Sequence, residues 1–266
     1  MENGRAGKVK KKKKEAEDME QELLQEIASY WGTRAEGYSE VNEKELAGSQ
    51  REAWLHVLEE QFPEKKKEEM KILDIGTGPG FFPMILSEAG YTVAAVDYTE
   101  EMLEKAKENL GKYTKYGLER VTLQRMDAQN LEFADETFDV VISRNLTWNL
   151  EKPEHAYQEW MRVLKTGGVL LNFDANYGKE DVADTKGLPE AHAHFKVGNE
   201  MLEECERIKS QLPISRKNRP AYDVAVLCEN TAGEIRIDTS LGKRIYLEKD
   251  EFYNPAPMFS ICAVKQ

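Results

Sequence analysis

Residues 73–82 read Leu-Asp-Ile-Gly-Thr-Gly-Pro-Gly-Phe-Phe, which predicts an apolar strand, a glycine-rich turn and the start of a helix. Gly76, Gly78 and Gly80 stand at alternate positions, where a missing Cβ permits positive φ and lets a ligand lie against bare backbone. Pro79 suits the first position of a helix, whose free amides and positive dipole end would then face the turn. The stretch therefore predicts a nucleotide-type ligand site at the first strand of an α/β sheet.

Three carboxylates narrow the class of ligand. The spacing G-x-G-x-G differs from the dinucleotide pattern G-x-G-x-x-G, and Asp74 would repel a pyrophosphate but suits a ligand that carries an ammonium group. Asp97 ends the next apolar run, about 20 residues after the first glycine, where a carboxylate commonly binds a ribose diol. Asp127 follows the third predicted strand, where an acid could accept from an adenine amino group. Together these positions favour an adenosine ligand without a pyrophosphate.

Four further stretches follow the glycine turn in a fixed order. They are Val-Asp-Tyr-Thr-Glu-Glu-Met-Leu (96–103), Asp-Ala-Gln-Asn-Leu (127–131), Phe-Asp-Val-Val-Ile-Ser (138–143) and Arg-Val-Leu-Lys-Thr-Gly-Gly-Val-Leu (162–170). With the glycine turn they resemble the motifs of the class I S-adenosylmethionine-dependent methyltransferases. The likeness is closest to the small-molecule branch that includes the ubiquinone/menaquinone C-methyltransferases. It covers roughly residues 25–177, and Thr166 stands where the family usually has proline.

The resemblance and the alternation of predicted strands and helices imply one fold. We expect a Rossmann-like, doubly wound α/β fold, with a seven-stranded, mostly parallel sheet whose last strand is antiparallel. We expect parallel strands near 71–75, 92–96, 120–125, 138–143 and 168–174, and two later strands near 234–238 and 258–264. The expected divisions are a disordered tail (1–18), an N-terminal helical lid (19–62), the cofactor-binding core (68–177), a substrate cap insertion (178–220) and a C-terminal helix with strands (221–266).

The resemblance also implies the residues that bind S-adenosylmethionine. The glycines would lie behind the methionyl portion, Asp97 would bind the ribose, Tyr98 would flank the adenine, and Arg144 would line the floor below the donor. The expected cofactor residues are Asp74, Gly76, Thr77, Gly78, Gly80, Asp97, Tyr98, Met102, Asp127, Ala128 and Arg144.

Two candidates are expected at the reacting methyl group. Residues 30–38 are similar to the family's lid segment, and Tyr38 would be the aromatic nearest the sulfonium, since aromatic faces attract cations. The alternative is that the aromatics of this segment only anchor a helix on the core. Asp174, just past the fifth strand, is the candidate general base if the reaction needs one. Its alternative role is a carboxylate that caps a turn.

Six residues are candidates for substrate binding: Asn145, Trp148, Asn176, His194, Arg216 and Arg219. The two arginines could clamp a carboxylate or phosphate, although a solvated basic loop is the alternative. His192 and His194 lack further ligands at metal spacing, so no metal is predicted. The long segment 241–257, with Tyr246 and Tyr253, is expected to fold back over the pocket.

Charge and composition limit the partners. Asp and Glu number 49 against 37 Lys and Arg, a net charge of −12, which argues against a nucleic-acid substrate. The lysine-rich stretch 8–14 could bind nucleic acid or membrane, but acidic residues follow it at once and a solvated start is the simpler interpretation. The three cysteines have no paired or metal spacing, and no apolar run is long enough to cross a membrane. We expect a cytoplasmic protein with reduced thiols.

The sequence leaves several functions in competition. The first is transfer of a methyl group from S-adenosylmethionine to a small metabolite by in-line displacement. The second is methylation of RNA or protein, although the N/D-P-P-Y/F/W run typical of adenine methylation is absent after the fourth strand. The third is a non-catalytic S-adenosylmethionine-binding protein, and an NAD enzyme is the residual alternative. The acceptor atom and the oligomeric state stay open.

Overall fold

A computed structural model describes residues 2–181, 184, 187–190, 192–247, 250–252 and 256–266, with only the backbone described for residues 2–13 and 15–18. Tyr253 and part of the expected cap insertion therefore lie outside the described residues. Among the described residues, no helix combines the length and the apolar composition needed to cross a bilayer.

The described strands form one seven-stranded sheet in the order β3-β2-β1-β4-β5-β7-β6. Neighbouring strands are parallel except at β7, which runs antiparallel to both β5 and β6. This is the expected Rossmann-like, doubly wound sheet. The strands are β1 (Lys71–Ile75), β2 (Thr92–Asp97), β3 (Val121–Arg125), β4 (Phe138–Arg144), β5 (Leu164–Ala175), β6 (Ala232–Asp238) and β7 (Met258–Lys265).

Nine α-helices surround the sheet in the part of the chain that the structure describes. They are α1 (Glu2–Ala47), α2 (Gln50–Glu59), α3 (Phe81–Glu88), α4 (Glu100–Tyr113), α5 (Gly117–Arg120), α6 (Pro153–Val163), α7 (Asn199–Gln211), α8 (Ala221–Glu229) and α9 (Leu241–Ile245). Short 3₁₀ turns lie at Thr147–Asn149, Tyr177–Lys179, Ala193–Lys196 and Pro213–Arg216.

The sheet is buried on both faces. On one face α2, α3 and α9 pack Trp54, Phe82 and Leu241 against alternate strand residues. On the other face α6 and α8 bury Trp160 and Leu227. Because both faces are covered, the central strands are continuously buried, as in β4 from Phe138 to Ser143.

The N-terminal region differs from the sequence expectation. The backbone is one helix from Glu2 to Ala47, so the boundary expected at residue 18 is absent from it. Gly32 and Gly37 lie inside this helix although glycine weakens helices. A Cβ on Gly32 would lie 3.0 Å from the Glu101 carboxylate carbon, so this glycine lets α1 approach α4 closely. Tertiary packing therefore outweighs the local preference.

The strand register brings the expected site together. Ile75 of β1 is opposite Val96 of β2 on one side and Ser143 of β4 on the other. The chain order reverses between β1 and β4, and the crevice at such a reversal is where open α/β sheets bind ligands.

An ion cluster closes the opposite edge of the sheet. Burial by itself raises the pKa of Asp139, but hydrogen bonds from Lys165, from the Lys71 amide and from Lys65 together hold that pKa below its ordinary value. The two lysine Nζ atoms and the Lys71 nitrogen lie 2.8–2.9 Å from the carboxylate oxygens.

We predict that Asp139→Asn lowers the free energy of unfolding at pH 7 by about 1–3 kcal/mol, because charged hydrogen bonds are lost. A depressed carboxyl pKa stabilises the fold above the ordinary pKa, and that stabilisation disappears as the pH falls through the folded-state value. Urea unfolding of both proteins from pH 7 down to pH 3 measures this. A difference that stays constant down to pH 3 would contradict the assignment.

Candidate functional site

One cavity of about 850 Å³, measured to its open mouth, lies at the carboxyl edge of β1, β2 and β4. The residues that line it include ten of the expected site residues: Tyr38, Gly76, Gly78, Asp97, Tyr98, Met102, Asp127, Ala128, Arg144 and Asn145. Asp74 and Thr77 line a smaller, adjoining cavity together with Tyr38 and Arg144.

The glycine turn has the backbone that only glycine adopts readily. Gly76 and Gly78 have φ of +67° and +53°, in the left-handed region. A Cβ on Gly76 would lie 2.7 Å from a Leu146 methyl carbon, so any side chain there would displace the loop after β4. The turn therefore needs glycine both for its conformation and for the close approach of Leu146.

Two of the expected acids, Asp97 and Asp127, line this cavity, and the third, Asp74, lines the adjoining one. Asp97 accepts hydrogen bonds from the Gly78 and Thr99 amides, each at 2.9 Å, so it holds the glycine turn as well as facing the cavity. Asp127 accepts from the Gln129 amide at 2.9 Å. Burial raises the pKa of Asp74 to about 7, with a further upward contribution from Asp97 and a downward one from Arg144. The local charge suits a ligand with cationic groups.

Helix α1 forms the roof of the cavity. Leu24, Ile27, Ala28, Trp31 and Tyr38 line it from this helix. The rings of Trp31 and Tyr38 pack edge to face, 5.6 Å apart. The Gln25 amide donates to the Tyr98 hydroxyl at 2.9 Å, which joins the roof to the strand edge. This roof limits the entry of water.

A buried ion pair ties the C-terminal part of α1 to the floor. Arg144 Nη2 lies 3.0 and 2.9 Å from the two Glu45 oxygens, and the Glu45 side chain is only 3% exposed. Glu45 also accepts from Trp54 Nε1 at 3.0 Å and from the Tyr246 hydroxyl at 2.8 Å. The Arg144 guanidinium lies 3.7 Å from the Phe81 ring centroid. The cluster sets the position of Arg144 beside the cavity.

Comparison with known families identifies this region of the chain. Residues 73–172, which carry the glycine turn and all three acids, match the family described as "Methyltransferase domain". Residues 73–172 form a methyltransferase domain. The class I family and its cofactor S-adenosylmethionine, both expected from the sequence, are confirmed for this domain.

Individual relatives of the methyltransferase domain have varied names. A phosphatidylethanolamine N-methyltransferase of Cereibacter sphaeroides is 33% identical over 47% of this chain and 60% of that protein. A demethylmenaquinone methyltransferase of Clavibacter sepedonicus is 36% identical over 38% of this chain and 39% of that protein. The chain thus spans about half the length of these curated relatives. A crystal structure of a SAM-dependent methyltransferase from Aquifex aeolicus shares the fold, with a TM-score of 0.54 and 23% identity over 86% of this chain and 98% of that chain.

The expectation that Asp174 is a general base is wrong. Asp174 is fully buried and does not line the cavity of the methyltransferase domain. Its oxygens accept from the Trp148 and Ala175 amides, and Oδ2 lies 3.0 Å from Arg219 Nη1. Arg219 is buried between Asp174 and Asp223, so its guanidinium is already occupied and the expected substrate clamp is also wrong.

Other expected residues lie elsewhere in the fold. Gly80 has φ of +87°, and its missing Cβ makes room for Ala106 of α4, so it serves packing and not the ligand surface. Trp148 is buried against Trp31 and Tyr177, behind the cavity wall. Asn176 lines a separate groove beside β7.

Two expected residues belong to the cap segment. His194 stacks on His192, and burial, His192 and Arg34 lower its pKa to about 4, so it is neutral at pH 7. Arg216 is exposed and does not line the cavity. Among the residues whose side chains are described, no group of three or more His, Cys, Asp or Glu could hold a metal ion.

Sequence reasoning missed the residues that reach the site from distant segments. Glu45 looked like one of many helical acids, and Gln25 carried no motif. Tyr246 is 102 residues from Arg144, and only its aromatic character within the long segment 241–257 drew attention to it. The sequence offered one signal for Glu45: it is an acidic residue on the same predicted helical segment as the aromatic residues expected to cover the cofactor.

We predict that Glu45→Gln destabilises the protein by about 3–5 kcal/mol, because it leaves a buried guanidinium without its counterion. The measurement is urea unfolding at pH 7. Glu36→Gln is the matched control on the same helix, since Glu36 pairs with Lys105 at an exposed position and should cost about 0–1 kcal/mol. If both variants lost the same free energy of unfolding, the buried Glu45–Arg144 pair would contribute no more stability than the exposed Glu36–Lys105 pair.

Proposed function

We propose that this protein transfers a methyl group from S-adenosylmethionine to a small-molecule metabolite. The observation that carries the proposal is the convergence of the glycine turn, three carboxylates and an aromatic roof on two adjoining cavities. When bound, S-adenosylmethionine would supply a methyl group on a sulfonium. A nucleophile of the acceptor would bond to the methyl carbon from the side opposite the sulfur, with S-adenosylhomocysteine as the leaving group.

The residues of the cavity fit this cofactor. Bare backbone at Gly78 leaves room beside Tyr38 and Met102 that a Cβ would fill. Thr77 and Asp74 line the adjoining cavity together, and a hydrogen bond from Thr77 lowers the pKa of the Asp74 carboxyl against the effect of burial. These two polar groups suit an amino-acid end with a cationic ammonium, while Asp97 and Asp127 suit the ribose hydroxyls and the adenine amino group. The three carboxylates would repel the negative charge of a pyrophosphate.

The chain contributes position and water exclusion. Trp31 and Tyr38 cover the cavity with aromatic surface, which stabilises a neighbouring cation when water is excluded. The Glu45–Arg144 pair holds the roof against the floor. Holding two reactants in a productive geometry can supply on the order of 7–11 kcal/mol of barrier reduction at best. With Asp174 sequestered, we assign no side chain as general base.

A small acceptor is supported by the roof and by the charge. Helix α1 crosses the cavity and leaves little room for a macromolecule beside the donor. The net charge of −12 opposes a polyanionic substrate. The two curated relatives described above are named for a phospholipid and a quinone acceptor, which are small molecules.

Calorimetric titration with S-adenosylmethionine, S-adenosylhomocysteine and NAD tests the cofactor assignment. We expect micromolar binding of the first two ligands and none of NAD. Asp97→Ala should weaken binding by about 1.5–3 kcal/mol, because a charge-assisted hydrogen bond is lost. Glu119→Ala, an exposed acid at the opposite edge of the sheet, is the control for the lost charge.

A screen with labelled methyl donor then tests transfer. Label should enter small metabolites and not RNA or protein. NAD binding alone, or unchanged affinity in Asp97→Ala, would overturn the placement of the cofactor. Tight cofactor binding with no transfer to any metabolite extract would favour a non-catalytic binding protein.

The raised pKa of Asp74 predicts a pH-dependent affinity. Only the ionised carboxylate pairs well with an ammonium, so S-adenosylhomocysteine should bind roughly tenfold more tightly at pH 7.5 than at pH 5.5 if Asp74 titrates near 7. Asp74→Asn should bind more weakly and lose this dependence. Calorimetry at a series of pH values is the measurement, and a wild-type affinity that ignores pH would refute the role of Asp74.

A further inference from the structure

The loop after β4, residues 145–150, forms one wall of the cavity. Asn145, Leu146, Asn149 and Leu150 line it. Leu146 also touches the glycine turn, since its methyl carbon lies 2.7 Å from the place of a Cβ on Gly76. A displacement of this loop would therefore change both the cavity wall and the turn.

Two hydrogen bonds fasten the loop to β5. The Trp148 amide donates to Asp174 Oδ2 at 3.0 Å, and Thr147 Oγ1 donates to Asn172 Oδ1 at 3.1 Å. Asn172 and Asp174 are two residues apart on a strand, so they project from the same face. Both are fully buried, which removes water as a competing partner.

A second layer of polar groups holds these two residues. Arg219 Nη1 lies 3.0 Å from Asp174 Oδ2, and Arg219 Nη2 lies 2.8 Å from Asp223 Oδ1. The Tyr157 hydroxyl donates to Asp223 and accepts from Asn172 Nδ2, each at 2.7 Å. We call these five residues the anchor cluster: Tyr157, Asn172, Asp174, Arg219 and Asp223.

The charged residues of the anchor cluster are an unfavourable choice if their role is only to stabilise the fold, because burying charge costs free energy. The cluster buries two carboxylates around one guanidinium whose side chain is 2% exposed. Buried ion pairs usually stabilise no better than apolar residues of similar volume. Buried ion pairs differ from apolar contacts in being directional. A carboxylate that an arginine orients can hold a backbone amide in one position. Here that amide belongs to the cavity wall.

Arg219 connects the cluster to another part of the chain. It is the last residue but one of the segment 178–220, which the sequence predicts to be the substrate cap. It also donates to the Ala175 carbonyl at 3.2 Å, at the end of β5. Any shift of this segment at Arg219 would therefore be transmitted through Asp174 to the Trp148 amide and the wall.

We propose that the anchor cluster is a positioning device that holds the loop 145–150 in its cofactor-binding form and couples the segment 178–220 to the cavity. Asp174 and Arg219 are positioning residues, since neither touches the cavity that holds the cofactor. The inference rests on the proposed function for its link to the cofactor.

The test compares variants of the full chain at a temperature well below their melting points. Arg219→Gln removes the charge, Arg219→Lys retains it, and Asp174→Asn keeps an oxygen that can accept from the Trp148 amide but loses the ion pair. Asp139→Asn is the control, because it breaks a partly buried ion cluster at the opposite edge of the same sheet. Hydrogen exchange of residues 145–150 and 71–75 and the affinity for S-adenosylhomocysteine are measured for each.

We expect Arg219→Gln to speed exchange of residues 145–150 and to weaken S-adenosylhomocysteine binding, each on the order of tenfold, because a misplaced wall no longer fits the ligand. Exchange of residues 71–75 should stay unchanged. Arg219→Lys should recover most of both effects, and Asp139→Asn should show neither effect at a similar loss of melting temperature.

The inference is overturned if Arg219→Gln leaves exchange of the loop unchanged, or if Asp139→Asn produces the same increase. If Arg219→Gln fails to fold, Arg219→Lys and Asp174→Asn decide the question by the same criteria. If the wild-type protein binds neither S-adenosylmethionine nor S-adenosylhomocysteine, the proposed function fails. Loop exchange in the variants then decides the positioning role by itself.

Discussion

Parallel pairing of β1 with both β2 and β4 is the constraint on which the site depends. In-register pairing makes all three strands end at one edge, so the glycine turn, Asp97 and the loop after β4 must meet there. The turn then passes so close to Leu146 that only a residue without a Cβ fits at Gly76. Asp97 completes the arrangement by accepting a hydrogen bond from the Gly78 amide, so one carboxylate both holds the turn and lines the cavity.

The roof is held by a different kind of interaction. Helix α1 contributes apolar and aromatic side chains to the cavity, but its position is set by Glu45, a charged residue that is almost entirely buried. Arg144, Trp54 and Tyr246 donate to this carboxylate from three separate elements. A buried charge with several directional hydrogen bonds restricts geometry more than apolar contact does. The aromatic residues of α1 therefore cover the cavity, and the Glu45–Arg144 ion pair fixes the position of the helix that carries them.

Sequence reasoning succeeded where local pattern and chain order are sufficient. The five parallel strands lie close to their expected positions, with β5 starting earlier, at Leu164 instead of 168. Ten of the expected site residues line the cavity because they directly follow strands or lie in a recognisable lid motif. It failed at Asp174, where position at the end of a strand suggested access to the ligand, and at Arg219, where a basic loop suggested a clamp for an anionic substrate. Their side chains instead turn toward α6 and α8, and that direction is set by long-range packing.

The amino-acid sequence by itself determined the sheet, the glycine turn and the class of ligand, because apolar periodicity, glycine spacing and strand-terminal acids act over a few residues. Only the tertiary structure decided which polar residues face the ligand and which support it. The continuous helix α1, the Glu45–Arg144 pair and the anchor cluster all join residues far apart in the chain. Such contacts depend on which faces of the helices and strands are buried against one another, and the spacing of residues along the sequence does not predict this.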